Sequence, residues 1–382
     1  MNIKIIKKHN NPCYVAPKGD SIMELIRVSN DTEYRIFAYN PKKNTADEIG
    51  EGLKIPTAVE MCNAIWESSD IYYAVLNEIA ENTKIDVHMY STKTKTDEII
   101  YSFQMRDDLD IYKTRVKIFI LSKTMLIVQL EFTEEEKRED LMGHISFVQI
   151  LVDIENETET EIEDENIVNN GINVILPISP THILIKTGYS FIEDYRYEVQ
   201  KEEEALIESI FINSSSKFIA DLTIQAKTID MQQLASTYYD KFILSPEFKD
   251  NYVFFTIIEP ATSTSEIIFL NVETNEKYSC RNEQIDLNDL NLGCIIGGTP
   301  YVKNTASTDM KFLNLKNGDF DLSCMGEEFE GIIGDLLILK RLKKNRKEIT
   351  EIYSYPKMEL IYEAKGTMLI GCVKDDDYYL YF

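Results

Sequence analysis

Apolar residues recur mostly at every second position along this chain, in short runs of Ile, Val, Tyr, Phe and Thr separated by clusters of Asn, Asp, Gly, Ser and Lys. Period two puts alternate side chains on one face of an extended chain, so the pattern predicts β-strands almost throughout. Examples are "IMELIRV" (22–28), "YRIFAYN" (34–40), "IDVHMYS" (85–91), "MLIVQLEF" (125–132), "HILIKTG" (182–188) and "LLILKRL" (336–342). Others, such as "IYYAVL" (71–76) and "YVFFTII" (252–258), are apolar at successive positions. Such runs fit strands covered on both faces.

Two stretches are alike: "IIFLNVETNEKYSC" (267–280) and, about 43 residues on, "MKFLNLKNGDFDLSC" (310–324). Each alternates, breaks at a polar cluster and resumes a shorter alternation that ends in Ser-Cys. Related copies are "FAYNPKKNTADEIGEG" (37–52), "VHMYSTKTKTDEIIYSF" (87–103), "VQILVDIENETETEIE" (148–163) and "TEIYSYPKMELIYE" (350–363). Self-similarity at a period of roughly 40 to 50 residues is the mark of propeller blades or solenoid arrays. With each copy read as the outer hairpin of a four-stranded blade, the blades fall near 13–50, 59–105, 111–165, 172–240, 241–285, 292–325 and 330–363. The final strands "TMLIGCV" (367–373) and "YYLYF" (378–382) are then short of a blade, and a lone strand, "NIKIIKK" (2–8), precedes the first hairpin. That strand is expected to complete the last blade, leaving no open edge at the seam.

The expected architecture is all-β: residues 1–382 as a single β-propeller of about seven blades, within a range of six to eight. The repeat falters from about 195 to 240. There "EVQKEEEALIESIFI" (198–212) and "TIDMQQLASTYYDKFI" (228–243) place apolar residues at three- and four-residue spacing among helix formers. A short helical insertion near 198–243 is predicted. On segments such as "WESSDIYYAVL" (66–76) and "FLNVETNEKYS" (269–279), the chain resembles the β-propeller superfamily, in its broad TolB-like and WD40-like class. It carries no Gly-His and Trp-Asp pair per blade, no paired Gly-Gly per blade and a single Trp. The resemblance therefore implies architecture and carries over no site residue.

The 40 Lys and Arg against 65 Asp and Glu give a formal net charge of -25. A charge of that sign repels phosphate backbones and anionic lipid, so neither nucleic acid nor a membrane surface is an expected partner. No signal-type apolar segment and no run near the roughly 18 apolar residues of a membrane span is present, which leads to the expectation of a cytoplasmic protein. The abundance of Lys, Asn, Ile and Tyr points to a bacterial source.

Candidate chemistry is sparse. G-x-S-x-G, H-E-x-x-H, a Walker A loop and G-x-G-x-x-G are absent, and "GCIIGGT" (293–299) lacks the lysine of a phosphate loop and reads as a strand and turn. Cysteines 13, 62, 280, 294, 324 and 372 never form C-x-x-C, so neither zinc nor a disulfide framework is expected. His9, His88, His144 and His182 are not at ligand spacing. The acidic clusters at 106–110, 286–291, 317–321 and 375–377 fall where blade turns are expected, and none matches an EF-hand loop. "TEEEKREDLMG" (133–143) reads as a charged loop, and "KRLKKNRK" (340–347) as a basic hairpin loop, either solvated or a dock for an acidic partner.

No catalytic, cofactor-binding or metal-binding residue and no cofactor is assigned. The expected function is a noncatalytic protein-interaction scaffold with a protein partner, using the helical insertion as binding surface. The alternative is a small-molecule or glycan hydrolase or lyase with acidic residues, with or without a metal, at the mouth of the central channel. Whether the chain is an enzyme stays open, with the balance toward not.

Overall fold

A computed structural model describes the chain apart from residues 1, 7–11, 29–32, 50–58, 67, 80–81, 105–113, 134–144, 189–207, 238–240, 245, 283–292, 305–309, 321, 325–327, 343–346 and 356. The fold is an eight-bladed β-propeller, the upper end of the expected range. The chain divides into two compact units, Met1–Glu48 with Leu244–Phe382, and Ile49–Ile243.

In chain order, β1 (Asn2–Ile6) is followed by the first blade: β2 (Pro12–Lys18), β3 (Ser21–Val28), β4 (Glu33–Asn40) and β5 (Thr45–Ile49). The second blade is β6 (Val59–Ala64), β7 (Ile71–Ile79), β8 (Asn82–Ser91) and β9 (Thr96–Gln104). The third is β10 (Thr114–Ile120), β11 (Met125–Thr133), β12 (Ile145–Asp153) and β13 (Thr158–Glu161), with helix α1 (Glu165–Asn170) after it. In the fourth, β14 (Ile172–Pro177), β15 (His182–Thr187) and β16 (Glu208–Ser214) lead through helix α2 (Ser215–Thr223) to β17 (Gln232–Thr237), and a short β18 (Phe242–Ile243) follows. The fifth holds β19 (Glu247–Lys249), β20 (Tyr252–Glu259), β21 (Thr264–Asn271) and β22 (Lys277–Asn282). The sixth holds β23 (Gly293–Ile296), β24 (Thr299–Asn304), β25 (Met310–Asn314) and β26 (Leu322–Cys324). The seventh holds β27 (Glu328–Ile333), β28 (Leu336–Leu342), β29 (Glu348–Ser354) and β30 (Glu359–Lys365). The last has β31 (Ile370–Lys374) and β32 (Asp377–Tyr381), to which β1 adds a third strand, in parallel. The N-terminal strand thus completes the final blade, as its sequence predicts.

The second strand of a blade buries both faces, and alternation decides which neighbour each residue meets. Leu336 and Ile338 pack on Tyr378 and Leu380 of β32, while Leu337 and Leu339 pack on Cys294, Ile296, Tyr301 and Phe312 of the sixth blade. Tyr379 and Tyr381 turn the other way, onto Val15 and Ile22 of the first blade. In the other unit, Leu126, Val128 and Leu130 of β11 face the second blade and Ile127 faces the fourth. Inner strands β6 and β10 also pair in parallel at Phe119↔Asn63 and Ile120↔Ala64.

The repeat visible in the sequence is the outer hairpin. Ile267–Cys280 and Met310–Cys324 form β21–β22 and β25–β26. At their turns the Asn271 and Asn314 side chains accept backbone N–H groups two or three residues on, and the residue four positions on, Asn275 or Gly318, has positive φ (58° and 80°). The same device recurs at Asn40 with Asn44, Ser91 with Lys95 and Asp153 with Glu157. An Asx or Ser side chain substitutes for a backbone acceptor in such turns.

In the fourth blade α2 replaces the turn of that hairpin. The helix lies inside the predicted 198–243 window, but at 215–223, between the two segments quoted for it. Of their described residues, 208–212 lie in strand β16, 232–237 in β17 and 242–243 in β18. Phe218 and Leu222, four residues apart, are the buried face of α2. Among the described residues no helix is long and apolar enough to cross a membrane.

Strand β1 is held by Ile3 and Ile5 against one core and Ile6 against another, and by Lys4, whose Nζ lies 2.7 Å from an Asp377 carboxylate oxygen. Hydrogen bonds from Lys4 and then Asn2 hold the Asp377 carboxyl below its ordinary value. This contribution is fully present above the ordinary carboxylate pKa and is lost as pH falls through the lowered one. Deleting residues 1–6 is expected to cost about 3 kcal/mol for three half-buried isoleucines, a fall of roughly 5 °C in Tm. Thermal melts of the truncated chain check this. On acidification, amide exchange in β1 is expected to accelerate only below the ordinary carboxylate range.

Candidate functional site at the first strands

In the unit that holds the fifth to eighth and the first blades, the first two strands of each blade join through two-residue turns: Gly19-Asp20, Asp250-Asn251, Gly297-Gly298, Gly334-Asp335 and Asp375-Asp376. Both residues of the second, third and fifth have positive φ, the geometry whose twist matches a hairpin. The glycine cluster at 293–299 is thus the strand and turn that its sequence predicts. Two residues of the 375–377 acidic cluster form another such turn, and the third, Asp377, holds Lys4.

Side chains tie these turns together. Lys249, just before its turn, donates to Ile295 O (2.9 Å) and Gly334 O. Asp250 Oδ2 accepts from Gly298 N (3.3 Å), Lys316 donates to Gly298 O (2.9 Å) and Lys374 donates to Gly19 O. Carbonyls at a turn point away from the sheet ladder and need partners, and a lysine with three N–H donors supplies several at once. In the second unit Lys117 does the same for Asn173 O (3.1 Å).

Beside Lys249 lies a cleft of about 250 Å³ lined by Glu247, Lys249, Phe254, Gly293, Cys294, Ile295, Gly331, Ile332 and Gly334. The residues come from the start of three successive blades. Glu247 and Lys249 are two apart on β19, so both project from the face opposite Phe248. Desolvation raises the Glu247 carboxyl above its ordinary pKa, and Lys249 partly offsets the rise. Glycine is required at Gly334: φ is 57°, and a Cβ would meet Tyr378 Cε1 at 2.8 Å. The three glycines leave main chain, rather than side chains, around the opening.

Elsewhere ionisable groups are locked. Glu24 is fully buried and accepts from Tyr381 Oη, while burial and the Glu24 charge push the Cys372 thiol up to about 12, away from nucleophilic use. Lys186 is fully buried against Glu208, 3.5 Å away, and desolvation lowers its pKa against the pull of Glu208. The Glu208 carboxylate also accepts from Ile243 N.

The sequence candidates do not meet. His88 stacks on Tyr73 (centroids 4.7 Å apart), with Nδ1 3.2 Å from Asp97, and His182 lies exposed beside Thr181. His9, His144 and the acidic clusters at 106–110 and 286–291 lie outside the described residues, as does 134–143 of the charged loop. In the 317–321 cluster Asn317 accepts from Asp319 N, as a turn residue does. Among the described residues no three His, Cys, Asp or Glu side chains are grouped as a metal site needs. Of the basic run at 340–347, Lys340 and Arg341 pair with Glu348 (3.4 Å) and Glu351 (3.2 Å) across their own sheet, and 343–346 lie outside the described residues. Glu247 and Lys249 were not singled out in the sequence, and the only signal there is a charged residue either side of Phe248.

No protein-family model matches the sequence, and no curated protein matches it. Solved structures do. The chain is similar to a puromycin-hydrolyzing peptidase of Mycobacterium tuberculosis, at 9% identity over 94% of this chain and 53% of that one, TM-score 0.44. It is similar to dipeptidyl peptidase 4 of Porphyromonas gingivalis, at 9% identity, 94% and 53% coverage and TM-score 0.47. A third is the β-propeller domain of the trilobed protease from Pyrococcus furiosus, at 9%, 93% and 83%, TM-score 0.41. The chain spans about half the length of the first two, and the likeness is one of fold. The noncatalytic interaction scaffold expected from the sequence does not accord with the peptidases named here, and it is not carried further; at this likeness the matches show a shared fold and assign no activity to this chain.

Removing one member of the buried pair is expected to be severe. Lys186→Met should lose about 3–5 kcal/mol because it strands the Glu208 charge. Adding Glu208→Leu should recover part of that loss, and denaturant melts of the two variants measure it.

Proposed function

We propose that this chain is a hydrolase-type propeller that receives an extended peptide in the first-strand cleft and holds it for cleavage. One observation carries the reading: main chain at Gly293, at Gly331 and at the Gly334 turn lines a cleft whose charged side chains are Glu247 and Lys249. Main chain that no side chain covers can hydrogen-bond to another main chain, which is how extended peptides are bound at sheet edges. Glu247 adds a carboxylate for a cationic group of the ligand.

A glycan hydrolase fits less well. It needs two carboxyl groups flanking the bond, roughly 5 to 10 Å apart, and Glu247 is the one acid among the described residues lining the cleft. The chain has no G-x-S-x-G elbow, so the reading gives this cleft the binding step and assigns no residue to bond breaking.

Fluorescence anisotropy with labelled, N-acetylated Lys-containing decapeptides tests the reading. Saturable binding to the intact chain, weakened at least about tenfold by Glu247→Gln, corresponds to loss of a charge-assisted contact. Because the Glu247 pKa is raised, affinity should fall on acidification before an ordinary surface glutamate would titrate. The absence of saturable binding by these peptides and by peptides with free termini would overturn the proposal.

A further inference from the structure

The cleft is small and has two signs of charge. Pockets for drug-sized ligands run from roughly 300 to 1,000 Å³, and this one is about 250 Å³. A long peptide can therefore leave only a short segment inside. Side chains two apart on a strand are separated by roughly 7 Å along it, which is the spacing of Glu247 and Lys249 on β19. Two extended peptide residues also span at most about 7 Å.

Lys249 has three N–H donors, and Ile295 O and Gly334 O take two of them. The third remains for a ligand. Glu247 is exposed at the rim of the cleft, and among the described residues its carboxyl makes no hydrogen bond. A carboxylate in that state gains from an ammonium partner.

From these features we infer that the cleft binds the two charged ends of a dipeptide at once: the free α-amino group at Glu247 and the free α-carboxylate at Lys249. The inference rests on the peptide reading above and narrows its substrate class to zwitterionic dipeptides, bound as substrate or as the released product of a longer chain. Phe254 and Ile332 supply the apolar wall against which the two side chains of the ligand lie.

Isothermal titration calorimetry on the unaltered chain tests this with Ala-Ala, N-acetyl-Ala-Ala, Ala-Ala-amide and one long peptide capped at both ends. Ala-Ala should bind, and each cap should weaken it at least tenfold. Glu247→Gln should abolish the effect of acetylation and spare that of amidation, and Lys249→Met the reverse. The capped ligands keep the test independent of whether the lysine variant folds. Equal affinity for free and capped dipeptides would overturn the inference. Binding of the long capped peptide without Ala-Ala would overturn it and leave the peptide reading standing, whereas binding of neither would overturn both.

Discussion

A four-stranded sheet whose second strand is apolar on both faces cannot stand alone, and everything else in this molecule follows from covering it. At roughly 25 cal/mol per Å² of apolar surface removed from water, successive buried residues such as Leu336 to Leu339 stabilise only if sheets lie on both sides. Alternation then divides each strand between two neighbours, as Tyr378 and Leu380 against Tyr379 and Tyr381 show. The same constraint explains the fully buried polar residues. Where a second strand carries Gln129, its amide accepts from Ile172 N (2.7 Å) and donates to Ile172 O (2.8 Å), joining the next blade as a ladder would. A polar side chain on such a face costs least where its partners are built in, as here.

Covering the faces leaves the turns. Two-residue hairpins at the blade starts expose carbonyls, and in a chain with net charge -25 it is lysine that answers them. Lys249 and Lys374 each sit at the last strand position before a turn and reach a carbonyl of another blade. Acids sit both inside and outside: strand β13, with all four residues Thr158–Glu161 exposed, carries two, while Glu24, Glu208 and Glu351 are buried. Net charge thus says little about the cleft, where one acid and one lysine face the same space.

The legibility of the fold in the sequence came almost wholly from the outer hairpin. Its turn needs an Asx or Ser at one end and a residue tolerant of positive φ at the other, and these local demands leave a visible pattern at Asn40, Ser91, Asp153, Asn271 and Asn314. In the fourth blade the turn is replaced by α2, and the pattern vanishes where the sequence seemed to turn helical. Helix formers at 208–212 and 232–237 nevertheless lie in strands, because pairing such as Leu184↔Ile212 and Ile210↔Ala235 outweighs a propensity worth tenths of a kcal/mol per residue. The site was not legible at all. Its residues, at 247–254, 293–295 and 331–334, are joined by no spacing rule, and only the stacking of three blades brings them together.

The cleft depends on the same glycines that the packing demands. At Gly293 a Cβ would meet Ile267 Cγ2 at 2.9 Å, and at Gly334 it would meet Tyr378, so neither position can carry a side chain. At Gly331, by contrast, a Cβ would meet nothing within 4 Å, and its φ of 152° is what holds that position to glycine. Two of the three glycines are therefore fixed by the core behind them and the third by its own backbone. The opening in front is a consequence of both. A binding surface made this way needs no side chain of its own for the main-chain contacts, so its selectivity must come from the few that remain. Among those, Glu247 and Lys249 carry the charges, and Lys249 also joins the three blades whose meeting forms the cleft. Ligand recognition and blade packing thus share one residue, and the cleft cannot lose its lysine without loosening its own walls.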